Sequence, residues 1–359
     1  MSTVRSFWLV AVSIVCVCGV SLAQTYDFTD GYDPASPQRR GQAGMTFLQV
    51  GGSARAEGMG SAFGGVRGDL SMAFCNPAGV AHVEGYGVYA GMNDWIADQK
   101  MYHLSVGGKV GPVVTGVSFL SMDYGEIIGT VIDETRDGDY RIWTDSLAAD
   151  AYAVGVFIAV PLTDRFAFGL QVKYAVQDFG DNKIFSFLQV LPNGGYIEKW
   201  RSNRISTMVF DLGTQYNTGL RNIHVNMSLQ NFAATQKYVE ANFDLPLIYR
   251  VGFSAEMLEL VMGYQNPDHK INVSADGIDR RDVPLDYAVG VEYLTHVPPG
   301  FDVAVRFGRR PAENQEGWLS AGGGVTIPIS NTRVSIDYSY NDYGNGMDSH
   351  RFGIGFGLK

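Results

Sequence analysis

The sequence predicts an all-β protein: a transmembrane antiparallel β-barrel of about fourteen strands, with an N-terminal hatch segment inside the lumen. Three observations carry that prediction. Beyond residue 85, apolar and polar side chains alternate with a period of two, as in a strand with one greasy and one wettable face. The alternating runs are joined by connections that are short and long by turns. Neither membrane helices nor disulfides are written into the chain. No segment after the N-terminus reaches the ~18 apolar residues of a membrane helix. Cys75 is the sole cysteine beyond residue 23, which leaves no disulfide framework.

Composition points the same way. Of 359 residues, 46% are hydrophobic and only 18% charged, against about 25% charged in soluble domains. The 44 Gly, 19 Tyr and 20 Phe suit a sheet with close backbone approaches and aromatic rims. A net charge of −10 and a pI near 5.0 repel phosphate backbones and exclude nucleic acid as a partner.

Taken in order, residues 1–23 read as a cleaved signal peptide. Arg5 supplies the positive region, Phe7 to Val20 the apolar one, and Ser21-Leu22-Ala23 a small-x-small cleavage site before Gln24. The apolar stretch is too short for a spanning anchor. Residues 24–42 are polar, contain Pro and Gly, and read as a flexible segment. Residues 43–84 are rich in small side chains and do not alternate. Gly58, Gly60, Gly64 and Gly65 allow tight bends, and Asn76-Pro77 favours a turn. This segment is expected to form a hatch in the lumen, with an ordinary cap or linker as the competing reading.

Residues 85–359 form the barrel. The alternating runs are 86–95, 101–110, 112–124, 150–162, 165–178, 203–217, 221–232, 247–257, 268–276, 285–295, 300–309, 317–328, 332–342 and 349–358. Phe166, Phe168, Leu170, Val172 and Tyr174 oppose Arg165, Ala167, Gly169, Gln171 and Lys173. Ile223, Val225 and Met227 oppose His224, Asn226 and Ser228; Tyr287, Val289, Val291 and Tyr293 oppose Asp286, Ala288, Gly290 and Glu292. Val334, Ile336, Tyr338 and Tyr340 oppose Arg333, Ser335, Asp337 and Ser339. The polar set, including Arg165, Lys173, His224, Glu292 and Asp337, is expected to line the lumen, and the apolar set to meet lipid. Short links fall at 111–112, 163–164, 218–220, 296–299 and 330–331; long ones at 125–149, 179–202, 233–246, 277–284, 310–316 and 343–348, with 258–267 between them in length. Short periplasmic turns against longer outer loops is the outer-membrane pattern, and an even strand count puts both termini on the periplasmic side. A soluble exported sandwich or propeller, the competing fold, has no reason to sort its loops by parity. The last strand alternates Phe352, Ile354, Phe356 and Leu358 with Gly, which suits the barrel insertion machinery.

Catalytic chemistry is not written in the chain. The six His residues show no H-x-x-H or H-E-x-x-H spacing, and no C-x-x-C occurs in the mature chain. G-x-S-x-G and the phosphate-loop motif are missing too. No metal, cofactor or catalytic residue is expected, and the chain reads as a non-enzyme. Arg55 is the residue singled out in the hatch: once enclosed, it needs a carboxylate partner, and Asp286, Glu292 and Asp337 are the lumen candidates.

Thr46-Phe47-Leu48-Gln49-Val50-Gly51, Ser53-Ala54-Arg55-Ala56, Gly58-Met59-Gly60-Ser61-Ala62-Phe63 and Asn76-Pro77-Ala78-Gly79 resemble the opening of the PorV/PorQ family, which lies within the FadL-like barrels. The resemblance runs on through Gly290-Val291-Glu292-Tyr293 and Arg306-Phe307-Gly308. It implies a fourteen-stranded barrel whose hatch carries the Asn-Pro-Ala turn, with Arg55, Gly58, Gly60, Asn76 and Pro77 as its structural motif. It also implies a bacterial outer-membrane protein working with type IX-like secretion components or exported cargo. The alternative partner is a hydrophobic small molecule carried passively, as in the FadL-like relatives.

Overall fold

The computed structural model describes residues 43–358 except 65, 133–140, 148, 181–186, 191–195, 200–202, 221, 239–240, 264, 282, 311–317 and 345. The expected signal peptide and flexible segment lie outside the described residues. In chain order the strands are β1 (Tyr86–Asp94), β2 (Lys100–Val110), β3 (Val113–Asp123), β4 (Ile127–Ile132), β5 (Arg141–Leu147), β6 (Asp150–Pro161) and β7 (Phe166–Asp178). There follow β8 (Phe187–Val190), β9 (Tyr196–Lys199), β10 (Arg204–Asn217), β11 (Ile223–Phe232), β12 (Gln236–Tyr238), β13 (Ala241–Phe243) and β14 (Ile248–Glu256). The last are β15 (His269–Arg280), β16 (Val283–Val297), β17 (Phe301–Arg310), β18 (Trp318–Ile329), β19 (Thr332–Asp342) and β20 (Asp348–Leu358).

Fourteen of these strands close an antiparallel barrel in the order β1-β2-β3-β6-β7-β10-β11-β14-β15-β16-β17-β18-β19-β20. Closure is made by β1 against β20, from Tyr86↔Leu358 to Asp94↔His350. Closing the sheet pairs the backbone groups of every barrel strand on both edges, a requirement for strands in hydrocarbon. The remaining strands form three small hairpins, β4-β5, β8-β9 and β12-β13, all inserted in connections at one end of the barrel. That end is the outer one by the loop-length rule.

Side-chain phase decides which face is which. Within β17, Phe307 is 61% exposed while its neighbour Arg306 is 3% exposed; Phe307 meets lipid and Arg306 the lumen. The same split holds on β11, where His224, Asn226 and Ser228 are buried, and on β16, where Asp286 and Glu292 are buried while Tyr287 is exposed. Exposed tyrosines mark the two rims: Tyr86, Tyr216 and Tyr293 toward the short-turn end, Tyr102 and Tyr249 toward the outer end. Above Tyr102 the apolar band stops at a row of charges in register, Asp94↔Lys100↔Asp123↔Asp150↔Asp178↔Arg204. Charges so placed belong to the headgroup level.

One expected outer loop is not a loop. Residues 277–280 continue β15, and β16 already begins at Val283. Asp279, Arg280 and Arg281 interrupt the apolar alternation, yet beyond the lipid a strand needs no apolar face, so the ladder runs on through Arg280↔Val283. The connection 258–267 contains a short helix, Met257–Met262, capped by the Glu256 carboxylate, which accepts from the Leu258 and Glu259 amides.

The described residues of 43–84 lie in the lumen, where Arg55, Phe63, Val66 and Asn76 bond to strand residues. The described chain starts at the outer end, where Ala43 pairs with Asp244 beside the β12-β13 hairpin and the Gly44 amide donates to the Asp244 carbonyl. It reaches β1 at the short-turn end. The even strand count therefore places the two ends of the barrel proper together at the short-turn end, while the described start of the hatch lies at the opposite one.

Candidate functional site

The hatch is built from short capped turns. Ser53 caps the helix Ala54–Gly58 by accepting from the Ala56 amide, Asp69 caps the turn Leu70–Phe74 through the Ser71 amide, and Asn76 caps Pro77–His82 through the Ala78 amide. Asn76 and Pro77 thus act as N-cap and first helical residue. The Asn76 amide also donates to the Thr214 and Met227 carbonyls, tying the turn to β10 and β11.

Barrel glycines make room for this backbone. A Cβ on Gly169 would lie 2.3 Å from Ala78 N, and one on Gly213 2.0 Å from the Asn76 side-chain oxygen. Gly290 and Gly308 face Met59 and Gly60 in the same way, and the Cα of Gly322 would lie 3.2 Å from a Cβ on Gly58. Gly60 itself has φ +67°, a conformation that suits glycine.

Charge then fastens the hatch. Arg55 donates from Nε and Nη2 to both oxygens of Glu292, at 2.8 and 2.7 Å. Arg306 donates to Glu292 at 2.7 Å and to Asp337 at 2.6 Å, and the Asn272 amide reaches Glu292 at 3.1 Å. Asp69 lies 3.8 Å from Arg55 on the hatch side. Burial works against the Arg55 charge, but Glu292 more than offsets it, so the guanidinium holds its proton above its ordinary range. The structure thus brings three of the singled-out residues, Arg55, Glu292 and Asp337, into one network.

The other expected lumen residues fall elsewhere. Lys173 pairs with Asp211 at 2.7 Å and donates to Asn231 at 2.9 Å, across the barrel wall. His224 is buried, its Nε2 2.6 Å from Asn222 Oδ1 and 3.4 Å from Arg67 Nη1. Arg165 does not line the lumen. It sits exposed in the turn before β7, because the strand starts at Phe166 and the alternating phase carries one residue too far.

Two cavities flank the hatch. The one toward the short-turn end, about 600 Å³, is lined by Arg55, Arg67, Asp69, His82 and Asp337 among others. The outer one, about 410 Å³, has an apolar wall that includes Phe47, Leu48, Phe74, Trp95, Met122 and Tyr124. Met101, Leu120 and Met122 on β2 and β3 pack beside Phe47 and Leu48 of the hatch. The lumen is therefore not polar or small throughout, as the alternation suggested: its wall at β2, β3 and β6 carries large apolar groups, including Phe157. Arg250, Arg280, Arg310 and Arg351 line the same outer cavity. Sequence reasoning passed over all four, although each stands in the lumen phase of its strand.

Cys75, buried in the hatch, offers a probe of this arrangement. Burial, with the nearby Glu57 charge, pushes its thiol up to about 12. Maleimide at pH 8 is expected to leave the folded protein unlabelled and to modify Cys75 once the barrel is denatured. Rapid labelling of the folded protein, read by mass spectrometry, would show an open hatch instead.

No protein-family description and no curated protein matches the chain. Among solved structures it is similar to the Ralstonia pickettii toluene transporter TbuX, at 13% identity and a TM-score of 0.56, covering 87% of this chain and 99% of that one. It is similar to the CymD monoaromatic hydrocarbon channel at 11% identity and a TM-score of 0.53, covering 86% and 96%. A Pseudomonas aeruginosa FadL homologue follows at 10% identity and a TM-score of 0.52, covering 86% and 98%. Identities this low speak for fold alone. The chain has the fold of the FadL-like outer-membrane barrels.

Proposed function

We propose that this chain is a non-enzymatic protein of the bacterial outer membrane through which hydrophobic small molecules pass by diffusion. The observation that carries the reading is the outer cavity: about 410 Å³, partly open, lying between the hatch, which presents Phe74, and a lumen wall that presents Trp95, Met122 and Tyr124, within the ~300–1,000 Å³ usual for small-molecule sites. The neighbours described as a toluene transporter and a monoaromatic hydrocarbon channel support it through shared architecture. In the same proposal residues 1–23 are the export signal, 24–42 a tail, 43–84 the hatch and 85–359 the barrel that the insertion machinery places in lipid. The test is uptake of radiolabelled toluene into liposomes containing the purified barrel. Toluene equilibration faster than into protein-free liposomes supports the reading; equal rates, with the barrel shown folded by heat-modifiable migration, reject it.

A second reading is work with type IX-like secretion components or exported cargo. The N-terminal block that resembles PorV/PorQ proteins is the segment that lies in the lumen, with its capped turns seated against barrel glycines. A barrel occupied in this way suits a protein acting through its outer loops. Pull-down of exported proteins sharing a C-terminal domain would favour this reading, and their absence from the pull-down would count against it.

A further inference from the structure

We infer that the ligand of the outer cavity is a one- or two-ring aromatic carboxylate rather than a neutral hydrocarbon or a long-chain acid. The inference rests on the proposed transport of hydrophobic small molecules and narrows it. Four arginines line a cavity that also presents Phe47, Leu48, Trp95 and Met122 together with the Glu57 carboxylate. Asp276 pairs with Arg250, Asp286 with Arg280 and Arg310, and Glu57 stands at the edge of ion-pair distance from Arg351.

These partnerships are unequal. Asp286 takes two hydrogen bonds from Arg310, at 3.1 and 2.6 Å, and lies 3.8 Å from Arg280. Arg351 donates to Asn341, Ser349 and Tyr343, but its carboxylate, Glu57, is 3.9 Å away and also accepts from the Ser61 hydroxyl. The Nε atoms of Arg280 and Arg351 are buried with no hydrogen-bond partner, and the Arg351 side chain is only 3% exposed. Those Nε atoms are shielded from the cavity itself, but both side chains border it, and a carboxylate matches the fork of a guanidinium met there. A neutral hydrocarbon supplies no such acceptor.

The remainder of the ligand is indicated by the rings. Arg351 lies over the Trp95 ring at 5.2 Å and Arg250 over Phe63 at 4.1 Å, while Trp95 meets Tyr343 edge to face at 5.3 Å. Two of the four guanidinium groups thus lie over aromatic rings that line the same cavity. A planar ring bearing a carboxylate satisfies both kinds of neighbour at once. At about 410 Å³ the space is near the lower bound for small-molecule sites, which favours one or two rings over an extended alkyl chain.

The experiment is calorimetric titration of the purified full-length barrel in detergent with 2-naphthoate, naphthalene and palmitate. Naphthoate is expected to bind about tenfold or more tightly than naphthalene, the scale of one charge-assisted hydrogen bond. Arg280→Gln and Arg351→Gln should each weaken naphthoate by about tenfold and leave naphthalene within about twofold. Should Arg351→Gln lose heat-modifiable migration, Arg280→Gln, at the outer rim, decides. Naphthalene binding as tightly as naphthoate, or palmitate binding more tightly, overturns the inference while leaving hydrophobic transport in place. Binding of none of the three removes both.

Discussion

Replacing Glu292 by alanine is expected to free the hatch while the barrel stays closed. Glu292 is 1% exposed and accepts four hydrogen bonds, two from Arg55, one from Arg306 and one from Asn272. Its loss leaves Arg306 with Asp337 alone and Arg55 with Asp69 at 3.8 Å. Removing one member of a buried ion pair costs about 3–5 kcal/mol, because the charges left behind stay desolvated. Arg55→Ala should cost less, about 1–2 kcal/mol, since its side chain is 23% exposed and partly screened, and Glu292 keeps Arg306. The double variant should fall short of the sum of the two, as contacting partners do. Glu292→Gln, which keeps the shape and loses the charge, belongs between wild type and Glu292→Ala. Limited proteolysis checks the order: the hatch should be cut first in Glu292→Ala, with the heat-modifiable barrel band retained. Unchanged hatch resistance in that variant would dispose of the latch.

How much of this was legible in the chain follows from what lipid demands. A residue facing hydrocarbon must be apolar, so the outward phase of each strand is strict, and all fourteen barrel strands were readable from alternation. The constraint ends at the charged row from Asp94 to Arg204. Above it, the strand extension through Arg280 looked like a loop. Arg165 failed for a related reason. Alternation reports the face of a residue but not where the ladder stops, and the turn takes Thr163 to Arg165.

The candidate site was legible only where charge forced a partnership. Arg55 in a small-residue segment had to find a carboxylate, and the lumen phase of β16 supplied Glu292. The four arginines of the outer cavity come from β14, β15, β17 and β20. Arg250 and Arg351 could be assigned to the lumen, whereas Arg280 and Arg310 fell in the expected loops 277–284 and 310–316; the meeting of all four at one height depends on barrel tilt and shear, which a strand-by-strand reading does not contain. The path of the hatch was equally hidden, because Met59 and Gly60 touch β16 and β17 across more than 200 positions of sequence.

That path sets up a sharp contrast between two glycines. Gly308→Ala is expected to cost about 3 kcal/mol or more, at the upper end of overpacking. Its Cβ would stand 2.1 Å from Gly60 N and 2.1 Å from the Met59 carbonyl carbon, backbone atoms that cannot swing aside as a side-chain tip can. Gly60 has φ +67° and is committed to that bend, so relief requires the whole turn to leave the wall, drawing Arg55 from Glu292. Gly323→Ala, on the lipid face of β18, would place its Cβ 3.6 Å from the nearest atom, the Ala304 carbonyl oxygen. It should be neutral within about 0.5 kcal/mol. Gly290→Ala should resemble Gly308→Ala, since its Cβ would meet the Met59 carbonyl oxygen at 2.4 Å. Measured side by side, hatch proteolysis and Cys75 labelling should both rise in Gly308→Ala and Gly290→Ala and stay at wild-type levels in Gly323→Ala. If all three variants behave alike, the glycines are not the seat of the hatch, and its hold on the lumen rests on charge alone.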